Sequence, residues 1–218
     1  MMVHRLSREN SILNHFIAEI RDSNVQKDSM RFRKNLERIS EILVYEMSKT
    51  LHFTPKTVIT PLGSKQIDHV DEPIVIASIL RAGLTMHQGV LNYFDHAENA
   101  FISAYREETD ENTTEVKVHV EYLASPDLNN KTLVVVDPML ATGTSLLLAL
   151  KAMEKNGKPK QIHIVSAIAS KQGIKKVTDA LPDSVKFWIG DIDEGLNNKA
   201  YIVPGLGDAG DLAFGVKL

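Results

Sequence analysis

The spacing of apolar residues predicts a long amphipathic helix in the first quarter of the chain. Between residues 28 and 50, apolar side chains recur at steps of three and four, and charged residues fill the positions between them. These apolar residues are Phe32, Leu36, Ile39, Leu43 and Met47. Asp28 or Ser29 precedes the first of them and can cap the helix through its side-chain oxygen.

From about residue 73 the pattern changes to short apolar runs, most of which lead through a glycine-bearing loop into a helical segment. The runs lie at residues 74–80, 100–104, 132–136, 162–168 and 185–189. Nearly continuous apolar runs of this length indicate strands that are buried on both faces. We therefore predict the α/β fold class, with a mostly parallel twisted sheet flanked by helices.

One stretch of the chain alternates instead of being continuously apolar. At residues 116–122 apolar and polar side chains alternate, as expected of a half-exposed strand. The preceding residues 107–114 are almost wholly polar. A polar segment next to strand ends predicts a mobile flap or the tip of a hairpin, although a plain solvated loop would have the same composition.

Composition narrows the class of protein. The 218 residues are 43% hydrophobic and 24% charged, which is typical of a soluble globular protein. The absence of cysteine excludes disulfides, thiolate metal sites and a cysteine nucleophile, and it fits the reducing cytoplasm, where we expect the protein. No apolar run approaches the roughly 18 to 20 residues of a membrane helix, so no membrane partner is expected. Without an internal repeat or a linker, residues 1–218 are expected to form a single domain.

Two arginines stand where ligands of open α/β sheets bind, beyond the carboxyl ends of the strands. Arg81 follows the run at residues 74–80, and Arg106 follows the run at 100–104. Both could bind an anion, while a surface salt bridge is the alternative for each of them.

The loop after residues 132–136 has the composition of a phosphate site. It consists of Asp137, Pro138, Met139, Leu140, Ala141, Thr142, Gly143, Thr144 and Ser145. Backbone N–H groups, hydroxyls and a helix N-terminus would converge there on one point. Asp137 would suit ribose hydroxyls better than phosphate. An ordinary helix start would also explain the threonines and the serine.

The segment at residues 201–211 holds three glycines within six positions and two aspartates. Glycine allows close backbone approach, so the edge of a flat base could be read there by main-chain groups, with Asp208 near the reacting centre. A glycine-rich surface turn is the alternative. The chain has no P-loop motif, no dinucleotide-binding glycine motif, no zinc-binding histidine pair and no nucleophile elbow.

From about residue 28 to the C-terminus the sequence resembles the uracil phosphoribosyltransferases. Motifs at residues 79–84, 105–106, 137–145 and 201–211 occur in the order of that family and at similar spacing. The resemblance implies a type I phosphoribosyltransferase-like fold with a small uracil-binding hood. It also implies a pentosyltransferase of pyrimidine salvage, which converts uracil and 5-phosphoribosyl diphosphate (PRPP) into UMP and pyrophosphate.

The resemblance assigns roles to individual residues. Arg81 and Arg106 match the arginines that contact the diphosphate, and residues 137–145 match the ribose-phosphate loop. Asp208 matches a residue that meets both uracil and the donor, so Asp208, Arg81 and Arg106 are the expected catalytic residues. The expected uracil contacts are Ile202, Gly207, Asp208 and Ala209.

The same resemblance implies a cofactor and partners. Mg²⁺ is the expected cofactor, held mainly through the donor diphosphate rather than by a metal site of the protein. Uracil and PRPP are the expected ligands, GTP is a candidate effector, and a homodimer or higher homo-oligomer is the expected assembly.

The chain departs from the family pattern at several positions. Thr144 replaces a usual second glycine, Leu212 replaces a usual basic residue, and residues 85–88 and 170–173 also differ. These changes bear on affinity and regulation more than on reaction type. A threonine fits at position 144 if the backbone there is helical, because only a positive φ would demand glycine.

Two other functions remain open. Another nucleobase phosphoribosyltransferase would share the donor motifs. An RNA-binding regulator of pyrimidine genes with this fold would show a basic face, but the formal charge of −3 gives no global sign of one, so no nucleic acid partner is expected.

Overall fold

The computed structural model describes residues 2–106 and 118–217, with side chains described at 2–103 and 120–217. The strands are β1 (Met2–Arg5), β2 (Phe53–Thr60), β3 (Gly63–Val70), β4 (Ile74–Leu80), β5 (Glu98–Arg106), β6 (Val118–Ala124), β7 (Thr132–Val136), β8 (Met139–Leu140), β9 (Gln161–Ser170), β10 (Lys186–Asp193), β11 (Gly195–Leu196) and β12 (Ile202–Val203). The helices are α1 (Ile12–Arg21), α2 (Ser29–Ser48), α3 (Leu84–Leu91), α4 (Thr144–Met153), α5 (Lys171–Ala180) and α6 (Ala209–Phe214).

A mostly parallel sheet forms the centre of the fold and confirms the predicted α/β class. Its strands lie in the order β1-β10-β9-β7-β4-β5-β6, and β8 pairs with the end of β9. Every pairing in this sheet is parallel except that of β5 with β6. The parallel strands therefore place their carboxyl ends along one edge, where Leu80, Val136 and Ser170 are terminal residues.

The elements predicted from apolar spacing are confirmed. The predicted buried runs correspond to β4, β5, β7, β9 and β10, and the predicted amphipathic helix corresponds to α2. The side chain of Asp28 caps α2 by accepting hydrogen bonds from the backbone N–H groups of Met30 and Arg31. The alternating stretch became the antiparallel edge strand β6, although residues 116–117 lie outside the described part of the chain.

Helices cover both faces of the sheet, so the apolar core has two layers. On one face α1, α2 and α3 pack against side chains such as Ile76, Val134 and Trp188. On the other face α4 and α5 pack against Val75, Val135 and other side chains that alternate with the first set. Continuous apolar runs are thus explained by burial on both faces.

Two parts of the fold were not predicted. β2 and β3 form a separate two-stranded hairpin, in which Phe53 pairs with Val70 and Thr60 with Gly63. At the start of the chain, β1 adds to the edge of the sheet beside β10, and α1 packs against α2.

Candidate active site

The loop at residues 137–145 connects β7 to α4 at the carboxyl edge of the sheet. Met139 and Leu140 pair with Ile168 and Ala169 of β9, which anchors the middle of the loop. The loop surrounds a small cavity, lined by Asp137, Met139, Leu140, Ala141, Thr142, Gly143, Ser145 and Leu146. The predicted phosphate loop is therefore a concave site at a helix start.

The backbone of this loop explains why threonine replaces glycine at position 144. Gly143 has a φ of 76°, in the left-handed region, and a Cβ built there would lie 2.5 Å from Cγ1 of Val177. Thr144 is instead the first residue of α4. The prediction that a helical backbone accommodates this threonine is confirmed, and the conformational demand for glycine falls on Gly143.

Side chains of β9 and α5 form hydrogen bonds with the loop at residues 137–145. The hydroxyl of Ser170 donates a hydrogen bond to the carbonyl of Ala141 at 2.6 Å and accepts one from the N–H of Gly173 at 2.8 Å. A Cβ on Gly173 would lie 2.2 Å from the same carbonyl. Nζ of Lys176 donates to Oγ1 of Thr144 at 2.7 Å. The segment at 170–173, noted only as a departure from the family, therefore supports the loop at residues 137–145.

Arg81 lies at the same edge, directly after β4. Its Nη2 donates to Oδ1 of Asp211 at 2.7 Å, and its Nη1 donates to the carbonyl of Gly215 at 3.2 Å. The turn after Arg81 requires glycine at position 83, because a Cβ there would lie 2.9 Å from the carbonyl oxygen of Val136 in β7. The first predicted arginine therefore contacts the C-terminal segment, and the strand before it lies beside β7, which leads into the loop at residues 137–145.

Arg106 is the last residue of β5, which places its backbone at the carboxyl end of that strand. Its side chain lies outside the described part of the structure. The predicted flap at residues 107–114 also lies outside the described residues.

The segment predicted to read a base forms a small hood over this edge. Ile202 and Val203 pair with Leu196 and Gly195, and α6 follows. Gly205 and Gly207 have φ values of 61° and 96°, so the chain reverses sharply between the strand and the helix. Among the predicted uracil contacts, Ile202 and Ala209 are buried.

Asp208 stands at the start of α6. Its Oδ1 accepts a hydrogen bond from the N–H of Asp211 at 3.0 Å, and Nζ of Lys217 lies 4.0 Å from its Oδ2. A Cβ on Gly210 would lie 3.2 Å from Oδ1 of Asp208 and 3.4 Å from Nη2 of Arg81. Asp208 and the Arg81 guanidinium therefore both lie close to Gly210.

His87, in α3, packs into the core behind the Arg81 turn. Its Nε2 donates to Oδ1 of Asn99 at 2.8 Å, which leaves Nδ1 to accept from the hydroxyl of Ser78 at 2.6 Å. Burial lowers the pKa of His87, and the hydrogen bond to Asn99 only partly opposes this. His87 is therefore a neutral packing residue of the core.

The oxygen atoms at this edge fit a magnesium ion that arrives with its ligand. Among the described residues, no group of three or more histidine, aspartate or glutamate side chains could hold a metal. Mg²⁺ commonly uses one or two carboxylates together with substrate phosphates. Asp137 and Asp208 are carboxylates of this kind at the edge.

No helix in the described part of the chain is both long and apolar enough to cross a membrane.

Comparison with known proteins places the chain in a family. The family model described as uracil phosphoribosyltransferase matches residues 7–216. A uracil phosphoribosyltransferase of Porphyromonas gingivalis is 50% identical over 218 residues, which cover 100% of both chains. One from Sulfurisphaera tokodaii is 41% identical over 208 residues, which cover 92% of this chain and 94% of that protein.

Solved structures share the fold of this chain. The AQ2163 protein from Aquifex aeolicus has a TM-score of 0.88 and 34% identity, with 100% of both chains covered. A hypoxanthine phosphoribosyltransferase from Staphylococcus aureus, at 17% identity and a TM-score of 0.50 over 75% of this chain and 76% of that one, shares the fold alone. The chain belongs to the uracil phosphoribosyltransferase family.

Proposed function

We propose that this chain catalyses transfer of the phosphoribosyl group from PRPP to N1 of uracil, which yields UMP and pyrophosphate. The observation that carries the proposal is the contact of Arg81 with Asp211, because it joins the predicted diphosphate-binding arginine to the predicted base-binding segment. The family match over residues 7–216 favours this reaction over another nucleobase transferase and over an RNA-binding regulator.

The loop at residues 137–145 would hold the ribose-phosphate part of the donor. The hydroxyls of Thr142, Thr144 and Ser145 and the N–H groups at the start of α4 can donate hydrogen bonds to phosphate oxygens. Hydrogen bonds to a charged group contribute about 1.5 to 3 kcal/mol, more than the about 0.3 to 1 kcal/mol of a helix dipole. Asp137, as a carboxylate, would accept hydrogen bonds from the ribose hydroxyls.

Arg81 and Arg106 would bind the leaving diphosphate. A guanidinium can donate two parallel hydrogen bonds to phosphate oxygens, and its charge does not depend on pH in the physiological range. Arg81 is paired with Asp211, so donor binding would exchange a carboxylate partner for a diphosphate. Mg²⁺, held by the diphosphate with Asp137 or Asp208, would supply further positive charge for the leaving group.

The reaction separates charge at two places, and preorganised groups of the chain would stabilise both. As the bond to diphosphate breaks, positive charge develops on the ribose and negative charge on the leaving group. The carboxylate of Asp208 would stabilise the ribose charge or assist loss of the N1 proton of uracil. Its hydrogen bond from the N–H of Asp211 fixes its position before the substrates bind.

The hood formed by β11, β12 and α6 would recognise uracil. Ile202 and Ala209 would form an apolar floor for the ring, and backbone groups at Gly207 and Asp208 would pair with its edge. A hydrogen-bonding site rejects a base with a mismatched donor or acceptor by up to about 10⁴-fold.

The proposal is tested by measuring donor consumption with a panel of bases. With Mg²⁺ present, uracil is expected to give UMP, whereas cytosine, hypoxanthine and orotate should react far more slowly. Comparable turnover of hypoxanthine would refute the uracil assignment. Omitting Mg²⁺ should abolish turnover, and adding GTP tests whether that nucleotide acts as an effector.

The exposed hairpin of β2 and β3 supports the proposal of a homo-oligomer. Leu62 at its tip is 100% exposed and Ile59 is 78% exposed, which is unusual for a hairpin without a covering element. A second copy of the chain would cover these side chains. Sedimentation should show a dimer or larger assembly, and a monomer at micromolar concentration would contradict the proposal.

A further inference from the structure

The backbone of Gly205, inside the base-binding segment, is held on both sides by one pair of charged side chains. Its N–H donates to Oδ2 of Asp193 at 3.1 Å, and its carbonyl accepts from Nη1 of Arg21 at 3.0 Å. Asp193 is the last residue of β10, and Arg21 is the last residue of α1. Neither residue was singled out by the sequence.

Arg21 and Asp193 also form a bidentate ion pair with each other. Nη1 of Arg21 lies 2.8 Å from Oδ2 of Asp193, and Nη2 lies 2.9 Å from Oδ1. The side chain of Asp193 is 7% exposed and that of Arg21 is 18% exposed. Charges this far from water require partners of good geometry, so the pair fixes the position of both side chains.

A second carboxylate anchors the pair to the N-terminal segment. Oδ2 of Asp191 lies 2.9 Å from Nη2 of Arg21, and its Oδ1 binds Ser7 at 2.6 Å and Arg5 at 2.8 Å. Arg21 therefore binds Gly205 through Nη1 and Asp191 through Nη2. The N-terminal residues become part of the support for the hood.

The conformation of Gly205 decides where the predicted base contacts lie. Gly205 has a φ of 61°, and a Cβ there would lie 2.1 Å from the carbonyl of Ile202. Ile202 lies on one side of this turn, and Gly207 and Asp208 lie on the other. A small backbone rotation at Gly205 would therefore change the position of Ile202 relative to Gly207 and Asp208.

We propose that Arg21 and Asp193 are positioning residues for base recognition, and that they set affinity for the base and selectivity among bases without touching it. This inference rests on the proposed function, because it assumes that the hood binds uracil. The backbone of Asp193 pairs with Ser170, which supports the loop at residues 137–145, but the ion pair itself binds Gly205 and Asp191 through side-chain atoms. Its loss should therefore weaken use of the base and leave use of the donor nearly unchanged.

The kinetic test uses Asp193→Asn, which keeps the shape of the side chain and removes its charge. The KM for uracil is expected to rise about tenfold or more, while the KM for PRPP stays within about twofold of the parent value. Discrimination between uracil and cytosine should fall as well. An unchanged KM for uracil, or an equal rise in both KM values, would overturn the proposal, because a general structural defect affects both substrates.

Two further variants make the test specific. Arg21→Lys keeps the charge but cannot bridge Asp193 and Gly205 in the same way, so its KM for uracil should lie between those of the parent and Asp193→Asn. It also provides the comparison if Asp193→Asn does not fold. Arg31→Gln removes a different arginine-carboxylate pair, with Glu19 of α1, and should keep both KM values.

Hydrogen exchange provides a readout that does not depend on activity. The peptide covering residues 202–209 should exchange faster in Asp193→Asn than in the parent, whereas β7 in the centre of the sheet stays protected. Equal exchange at residues 202–209 would refute the positioning role. A parent protein that does not turn over uracil would instead refute the proposed function, so the two failures are distinguishable.

Discussion

Nη2 of Arg81 lies 2.7 Å from Oδ1 of Asp211, across 130 residues of sequence. The pair connects the turn after the central strand β4 with the C-terminal helix α6. Because the arginine side chain is 40% exposed, solvent screens the pair, and its contribution to stability is about 0 to 1 kcal/mol. The main role expected for Arg81 is therefore in ligand binding.

Arg81→Ala is expected to weaken use of the donor without unfolding the protein. Loss of one charged hydrogen-bonding partner should cost about 1.5 to 3 kcal/mol in kcat/KM for PRPP. The same result is expected for Arg106→Ala, from its place at the end of β5. Steady-state kinetics and thermal unfolding measure the two effects. Unchanged kinetics in either variant would make that arginine a surface ion-pairing residue.

Gly143→Ala should damage the phosphate loop more than Thr144→Gly. Alanine at a φ of 76° costs about 1 to 2 kcal/mol, and its Cβ would also collide with Val177. Thr144 is already helical, so glycine there should cost about 1 kcal/mol or less. The free energy of unfolding in denaturant is the measurement, because the KM for PRPP would also reflect loss of the Thr144 hydroxyl that is proposed to bind phosphate. The double variant Gly143→Ala with Val177→Ala relieves the collision alone, and equal effects at positions 143 and 144 would contradict the backbone assignment.

The buried strands and the strand-to-helix loop at residues 137–145 could be predicted because their signals are local. Five apolar runs gave five strands of the sheet, and the small and hydroxyl residues at 137–145 gave the loop. The departure at Thr144 was correctly explained by a helical backbone, since glycine is required only at Gly143. A serine directly before a helix is a common N-cap, so Ser170 could have been found from the sequence as well.

Other features could not be predicted, because their causes are not local. Arg21 and Asp193 are 172 residues apart, and nothing in either neighbourhood indicates that they meet. The β2 and β3 hairpin lacks the alternation of a strand with one buried face, because it is exposed on both faces. β1 is only four residues long and partly polar, so its pairing with β10 depends on the rest of the sheet.

His163 should make the stability of the protein depend on pH. It is fully buried, and the N–H of Trp188 donates to its Nδ1 at 3.0 Å. Burial, with a smaller effect of the Lys186 charge, lowers its pKa from 6.5 to about 4. Between these values the unfolded chain binds more protons than the folded one. The lowered pKa of His163 therefore corresponds to about 3 kcal/mol in the free energy of unfolding. This contribution is fully present above pH 6.5 and is lost as the pH falls toward 4.

Unfolding by denaturant at pH 7, 6 and 5 tests this dependence. His163→Gln keeps an acceptor for Trp188 but has no proton to bind, so its free energy of unfolding should fall less with pH than that of the parent. His96→Gln changes a fully exposed histidine and should follow the parent. Parallel curves for the parent and His163→Gln would show that another group causes the pH dependence.

Residues 107–114 are expected to form a flap that closes over the bound donor. This expectation rests on their polar composition and on the apolar strand sequence that precedes them. Closure would exclude water and so protect the charged ribose from hydrolysis. Hydrogen exchange should be fast in the free protein and slower with PRPP and Mg²⁺. Equal exchange in both states would indicate a plain solvated loop.

Asp208→Asn is expected to keep the fold and to lower turnover more than it weakens donor binding. Asparagine is also a good N-cap, so Oδ1 can still accept from the N–H of Asp211 and α6 should remain intact. The charge beside the base and the ribose is lost, and removal of one preorganised electrostatic group typically costs about 10² to 10³ in rate. Single-turnover kinetics, with PRPP binding measured separately, resolve the two effects.

Asp211→Asn is the matched control for this carboxylate. Its Oδ1 can still accept from Nη2 of Arg81, so the pair loses charge but keeps its hydrogen bond, and turnover should fall less than in Asp208→Asn. Each variant removes one negative charge near the start of α6. If only the net charge of this region mattered, both variants would lower the rate equally. If Asp208→Asn turned over uracil at the parent rate while Asp211→Asn failed, the working carboxylate would be Asp211, acting through Arg81.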